Sequence, residues 1–107
     1  MENQELINQR KKEAKKLQDL IIEKLRTVQM LVIERILNGD GINFELTGII
    51  EGEVKWAYLR LPNESNFDTE RNIVILKHYE FHKYLDDSIE VFYKEQLDII
   101  DYWISVL

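Results

Sequence analysis

The residues best suited to chemistry sit together in His78-Tyr79-Glu80-Phe81-His82, which holds both histidines of the chain. Two imidazoles and a carboxylate form a competent ligand set for a transition metal, and on a strand positions 78, 80 and 82 point to one side. Spacing argues against that use. Three such positions span about 13 Å, whereas ligands to one ion must lie within about 2.0–2.2 Å of it. A helical segment would bring His78 and His82 together at i, i+4, but the glutamate-histidine order that metalloproteases use is absent. His78, Glu80 and His82 are the sharpest metal candidates, with a polar strand end as the plainer reading. No cofactor is expected.

Other groups carry less. Asp86-Asp87 and Glu51-x-Glu53 could hold a cation or act as acid and base, but turn and capping roles account for both. The chain has no cysteine, which removes disulfides, thiol nucleophiles and thiolate metal sites together. It has no glycine-rich phosphate loop, no nucleophile elbow and no basic strand with interleaved aromatics. A non-enzymatic protein is the expectation.

The elements that position these residues begin with a long helix. From Glu2 to Leu37 there is no Gly or Pro, and from Leu17 onward apolar residues recur at three- and four-residue steps. Such a helix would span roughly 50 Å. A compact domain of this length, with a radius of gyration of about 13 Å, is only some 35 Å across. Residues 1–16 are therefore expected to fray or project, with 17–37 as the docked helix. Leu17, Leu20, Ile21, Leu25, Val28, Leu31, Val32 and Ile36 fall within an arc of roughly 160° and should face the core. Ile22, Met30, Ile33 and Leu37 lie outside it and are the expected oligomer interface. Asn38-Gly39-Asp40-Gly41 then stops the helix, since Gly accepts the left-handed conformation there.

Residues 42–61 read as a hairpin about Glu51-Gly52. That turn pairs Leu46 with Ala57, Phe44 with Leu59 and Ile42 with Leu61 on one apolar face. The opposite face sets Ile49 against Val54, Thr47 against Trp56, Glu45 against Tyr58 and Asn43 against Arg60. In a two-layer fold this side meets water, yet it offers two aromatics and two aliphatics. Trp56, Tyr58, Arg60, Val54 and Ile49 are thus the candidate partner-binding residues, because large aromatics concentrate where proteins meet. The plainer alternative is cross-strand stabilisation under the loop from Pro62 to Arg71.

A third strand over 72–81 begins Ile73-Val74-Ile75-Leu76, apolar on both faces like a central strand. Asp87-Ser88-Ile89-Glu90 then opens a helix over 87–107. Ile89, Phe92, Tyr93, Leu97, Ile100, Trp103, Ile104 and Leu107 share an arc of about 140°, so its end should be packed. The expected fold is α+β: long N-terminal helix, three-stranded antiparallel meander and C-terminal helix in two layers, as one domain over 1–107. This order is similar to that of double-stranded RNA-binding domains. In those domains the second helix opens on lysines, and Asp86-Asp87-Ser88 stands there instead.

Charge narrows the partners. Residues 1–37 carry eight basic and six acidic side chains, and residues 38–107 carry six and fourteen. Duplex nucleic acid would be repelled by that acidic body, so direct nucleic-acid binding is not expected. Arg10, Lys11, Lys12, Lys15 and Lys16 gather at the helix start; Lys11, Lys12 and Lys15 are candidates for an acidic partner, with a solvated helix face as the alternative. Apolar runs reach only four residues, as at Met30 to Ile33, against the ~20 needed to cross a bilayer, and no signal peptide opens the chain. A cytoplasmic protein is expected. Fourteen Ile against two Ala, with nine Lys and seven Asn, matches AT-rich coding in low-GC bacteria, their phages and some archaeal viruses. The expected function is an acidic protein of a phage or mobile element that binds and modulates a host protein. A homodimer is expected; a homo-oligomeric structural or assembly protein pairing through the long N-terminal helix is the second functional expectation, and a metal-dependent activity at His78 and His82 the third.

Overall fold

The structure, a computed structural model, describes residues 2–46, 56–62, 69–75 and 88–107. Its order is α1 (Glu2–Leu37), β1 (Asn43–Leu46), β2 (Trp56–Arg60), α2 (Thr69–Asn72), β3 (Ile73–Ile75) and α3 (Ser88–Val106). This is the expected α-β-β-β-α arrangement around a three-stranded antiparallel sheet of order β1-β2-β3.

α1 is one unbroken helix from Glu2. Its buried stripe is Ala14, Ile21, Leu25, Val28 and Val32, spaced by sevens, fours and threes. The stripe is narrower than the arc expected from sequence. Leu20 and Ile36 fall on its opposite margins and are exposed, which corrects their assignment to the core. Ile22 corrects in the other direction. It sits about 60° from Leu25 on the helical wheel and packs against the core cluster, so it does not belong to an outward-facing patch. The first turns of α1 are helical from Glu2 and touch the rest of the fold at Arg10 and Ala14. Ala14 is buried, and the Arg10 guanidinium donates to the Glu90 carboxylate at 3.0 Å. The mismatch between helix and domain length resolves as elongation, with extents of 57 × 26 × 20 Å and a radius of gyration of 15.8 Å.

Gly39 ends α1 with φ of +90°. The Gly39 N–H donates to Ile36 O and the Asp40 N–H to Arg35 O, both at 3.0 Å, which together make the paired bonds of a Schellman motif. α3 then lies along α1 and runs in the same direction. Arg10 meets Glu90, Gln18 donates to the Tyr93 hydroxyl at 2.7 Å, Lys24 pairs with Asp101, and Arg35 donates to the main-chain oxygens of Val106 and Leu107. α3 buries Ile89, Tyr93, Gln96, Leu97, Ile100 and Trp103. Its end is packed as expected: the Trp103 indole N–H donates to Arg71 O at 2.6 Å, and the Arg71 guanidinium lies 5.3 Å from the Tyr102 ring centre.

The β1–β2 register is the one the hydrophobic pattern selects: Asn43 with Arg60, Phe44 with Leu59, Glu45 with Tyr58 and Leu46 with Ala57. Ile42 and Leu61 flank the strands, and the Glu51-Gly52 turn lies outside the described residues. β2 pairs with β3 through Trp56 with Ile75, Ala57 with Val74 and Tyr58 with Ile73. Two expectations change here. The segment before β3 is not wholly loop, because Thr69–Asn72 forms a helical turn that takes Asn72 out of the strand. Among the described residues β3 is an edge strand and β2 the central one, and no second layer of described residues covers the outer apolar side chains of β3. Residues 76–81 and Asp87 lie outside the described residues. Ala57, Leu59 and Val74 point toward the helices and join their buried side chains in one core.

Candidate protein-binding surface

Because alternate residues of a strand point to opposite faces, burying Ala57, Leu59 and Val74 turns Trp56, Tyr58, Ile73 and Ile75 outward. Register does the rest. Tyr58 stands between Glu45 and Ile73, and Trp56 stands beside Ile75. Glu45, Trp56, Tyr58, Ile73 and Ile75 line a shallow depression of about 380 Å³ on the face opposite the helices. The aromatic and isoleucine side chains are half-buried, and Glu45 and Arg60 are exposed. The depression is therefore a mainly apolar floor with one carboxylate at its side. Arg60, opposite Asn43, closes one end of the same face.

The structure thus brings Trp56 and Tyr58 into one site, with Arg60 at its margin. Ile49 and Val54, expected on the same face, lie outside the described residues. Ile73 and Ile75 complete the floor and were absent from the sequence-based candidates. Their signal was present: a strand apolar on both faces is either covered twice or carries a contact surface.

The basic cluster stands apart. Arg10 is drawn inward to Glu90, Lys15 lies 3.8 Å from Asp19 and Lys16 3.7 Å from Glu13. Lys11 and Lys12 are exposed. These lysines occupy the solvent side of α1, in the layer on the far side of the sheet from Trp56, so the two candidate surfaces do not merge. A third patch is apolar. Met30 is 67% exposed, Ile33 50% and Leu37 81%, at spacings of three and four, with Ile36 beside them.

Among the described residues no group of three His, Asp or Glu side chains converges as a metal site. His78, Glu80 and His82 fall outside the described residues. No described helix is long and apolar enough to cross a membrane. Compared with protein-family models, with curated proteins and with solved structures, the chain matches none.

Proposed function

We propose that this is a non-enzymatic protein-binding protein, of the kind a phage or mobile element directs at a host protein, and that it engages its partner through the open face of the sheet. The observation that carries the reading is the depression lined by Glu45, Trp56, Tyr58, Ile73 and Ile75. A tryptophan, a tyrosine and two isoleucines on the sheet face away from the helices offer an interface rigid contact area at low entropic cost. The acidic balance of residues 38–107 favours a partner with a basic surface, toward which the charge steers encounter.

Trp56→Ala tests this. Immobilised wild-type protein and variant are exposed to lysate of the source organism and its host, and retained proteins are identified by mass spectrometry. A species held by wild type and lost from Trp56→Ala, with unchanged circular dichroism, supports the face as the docking site; binding should weaken by about 2 kcal/mol or more. Loss of folding in the variant would place Trp56 in the core.

A second reading is favoured by the exposure of Met30, Ile33 and Leu37. On it, two copies pair through the end of α1. A dimer of this kind and a partner on the sheet face are compatible, because the two patches lie on different elements.

A further inference from the structure

The two edges of the sheet are treated differently. At β3, the Ile75 N–H donates to the Gln96 side-chain oxygen at 2.9 Å. Gln96, on α3, is itself only 7% exposed. Its amide seals an edge donor that would otherwise recruit another strand.

The same bond fixes which groups point outward at the other edge. Main-chain groups alternate in direction along an antiparallel ladder. With the Ile75 N–H turned away from β2, the Trp56–Ile75 and Tyr58–Ile73 pairs are the non-bonded ones on that side. Trp56, Tyr58 and Arg60 consequently direct their N–H and C=O groups toward β1, to Glu45 and Asn43. Phe44 and Leu46 are left with their main-chain groups on the outer edge. Ile42, of the same parity, agrees: its N–H turns to Asp40 O at 3.0 Å and not to β2. Among the described residues no strand pairs with this edge of β1.

We propose that the outer edge of β1 receives an extended segment of the partner protein, added as a fourth antiparallel strand. It carries a basic side chain opposite Glu45 and apolar ones opposite Phe44 and Leu46. The proposal rests on the reading that the sheet is the docking surface, and it specifies how a partner holds on. Main-chain bonds to Phe44 and Leu46 supply affinity, as in other cases of strand addition. The pair at Glu45 is then a non-bonded one, in which facing Cα atoms stand about 4.5 Å apart, close enough for a cross-strand ion pair. Phe44 and Leu46 are half-buried against the core and present apolar margins to the incoming strand.

Charge selects the occupant. Glu45 is the one charged residue of β1, in a part of the chain with fourteen acidic and six basic side chains. A second copy is a poor fit. Two-fold pairing of β1 with itself sets Glu45 against either Glu45 or Asn43 and brings no cation.

The test is an NMR titration of the labelled full chain with two capped peptides, Val-Arg-Val-Thr-Val and Val-Glu-Val-Thr-Val. The expected result is protection of the Phe44 and Leu46 amides from hydrogen exchange. The arginine peptide should bind about ten-fold tighter at low salt, the sum of one favourable and one unfavourable cross-strand pair. Glu45→Lys, at an exposed position, should reverse that order. Shifts confined to Trp56, Tyr58, Ile73 and Ile75 overturn the edge while leaving the open face as a docking site. Concentration-dependent protection of Phe44 and Leu46 without peptide assigns the edge to a second copy and overturns it. Absence of binding by either peptide at millimolar concentration overturns it as well.

Discussion

Two side chains of α3 tie the helix to the main chain of α2 and β3, one as a donor and one as an acceptor. Trp103 is 1% exposed and its indole N–H reaches Arg71 O, tying α2 to α3. Trp103→Phe removes that donor and part of a ring from a packed site. Chemical denaturation should show a loss of about 2–4 kcal/mol, combining a lost buried hydrogen bond with a small cavity. Gln96→Leu keeps the volume and removes the acceptor from the Ile75 N–H. It should cost about 1–3 kcal/mol and, unlike the tryptophan variant, raise the tendency to self-associate, since it reopens the β3 edge; light scattering separates the two. Trp103 was legible in the sequence because it continues the run Ile89, Tyr93, Leu97, Ile100. Gln96 was not, because hydropathy counts it as polar. Yet Ile89, Tyr93, Gln96, Ile100 and Trp103 recur in steps of four and three, and a glutamine within such a run must find a buried partner.

At the scale of elements, what the sequence revealed depended on how many independent signals each segment carried. Over Asn43–Leu46 and Ala57–Arg60 the β1–β2 pairing was legible, because a one-residue slip would have mixed Phe44, Leu46, Ala57 and Leu59 with Asn43, Glu45 and Arg60. β3 carried no such discriminator. Ile73-Val74-Ile75 is apolar on both faces, so it read as central, and only pairing to β2 shows it to be an edge among the described residues. The four residues of α2 are too short for any period to register. The stop of α1 was legible in Gly39, and it gives a clean measurement. At φ of +90° an L side chain is strained, while a Cβ added there meets nothing within 4 Å. Gly39→Ala should therefore destabilise by about 1–2 kcal/mol through backbone conformation alone, and D-alanine placed there by semisynthesis should restore wild-type stability. Failure of D-alanine to do so would show that contact, not φ, governs the site.

At the scale of the whole molecule, the length of α1 sets the elongation, and the apolar residues on both sides of its last turns set the exposed patch. α3 covers part of α1, from Arg10 paired with Glu90 to Arg35 clasping the main-chain oxygens of Val106 and Leu107. That clasp fixes one side of α1 and leaves Met30, Ile33 and Leu37 on the other. With Ile36 beside them, these four exposed apolar side chains fall short of the about 800 Å² per partner that a stable dimer buries. Pairing through them must either stay weak or extend back along the helix past Arg26. Sedimentation equilibrium is expected to give a dimer with a dissociation constant of about 10 μM or weaker, corresponding to no more than about 7 kcal/mol. Met30→Glu with Leu37→Glu should abolish it at every concentration. Because both side chains are more than half exposed, the midpoint of thermal unfolding for the monomer should stay within about 3 °C of wild type. The same variant should retain a partner captured by the sheet face, since the two surfaces are separate. Wild-type protein that sediments as a monomer at several hundred micromolar removes the dimer, and the exposed end of α1 is then left for the partner itself to cover.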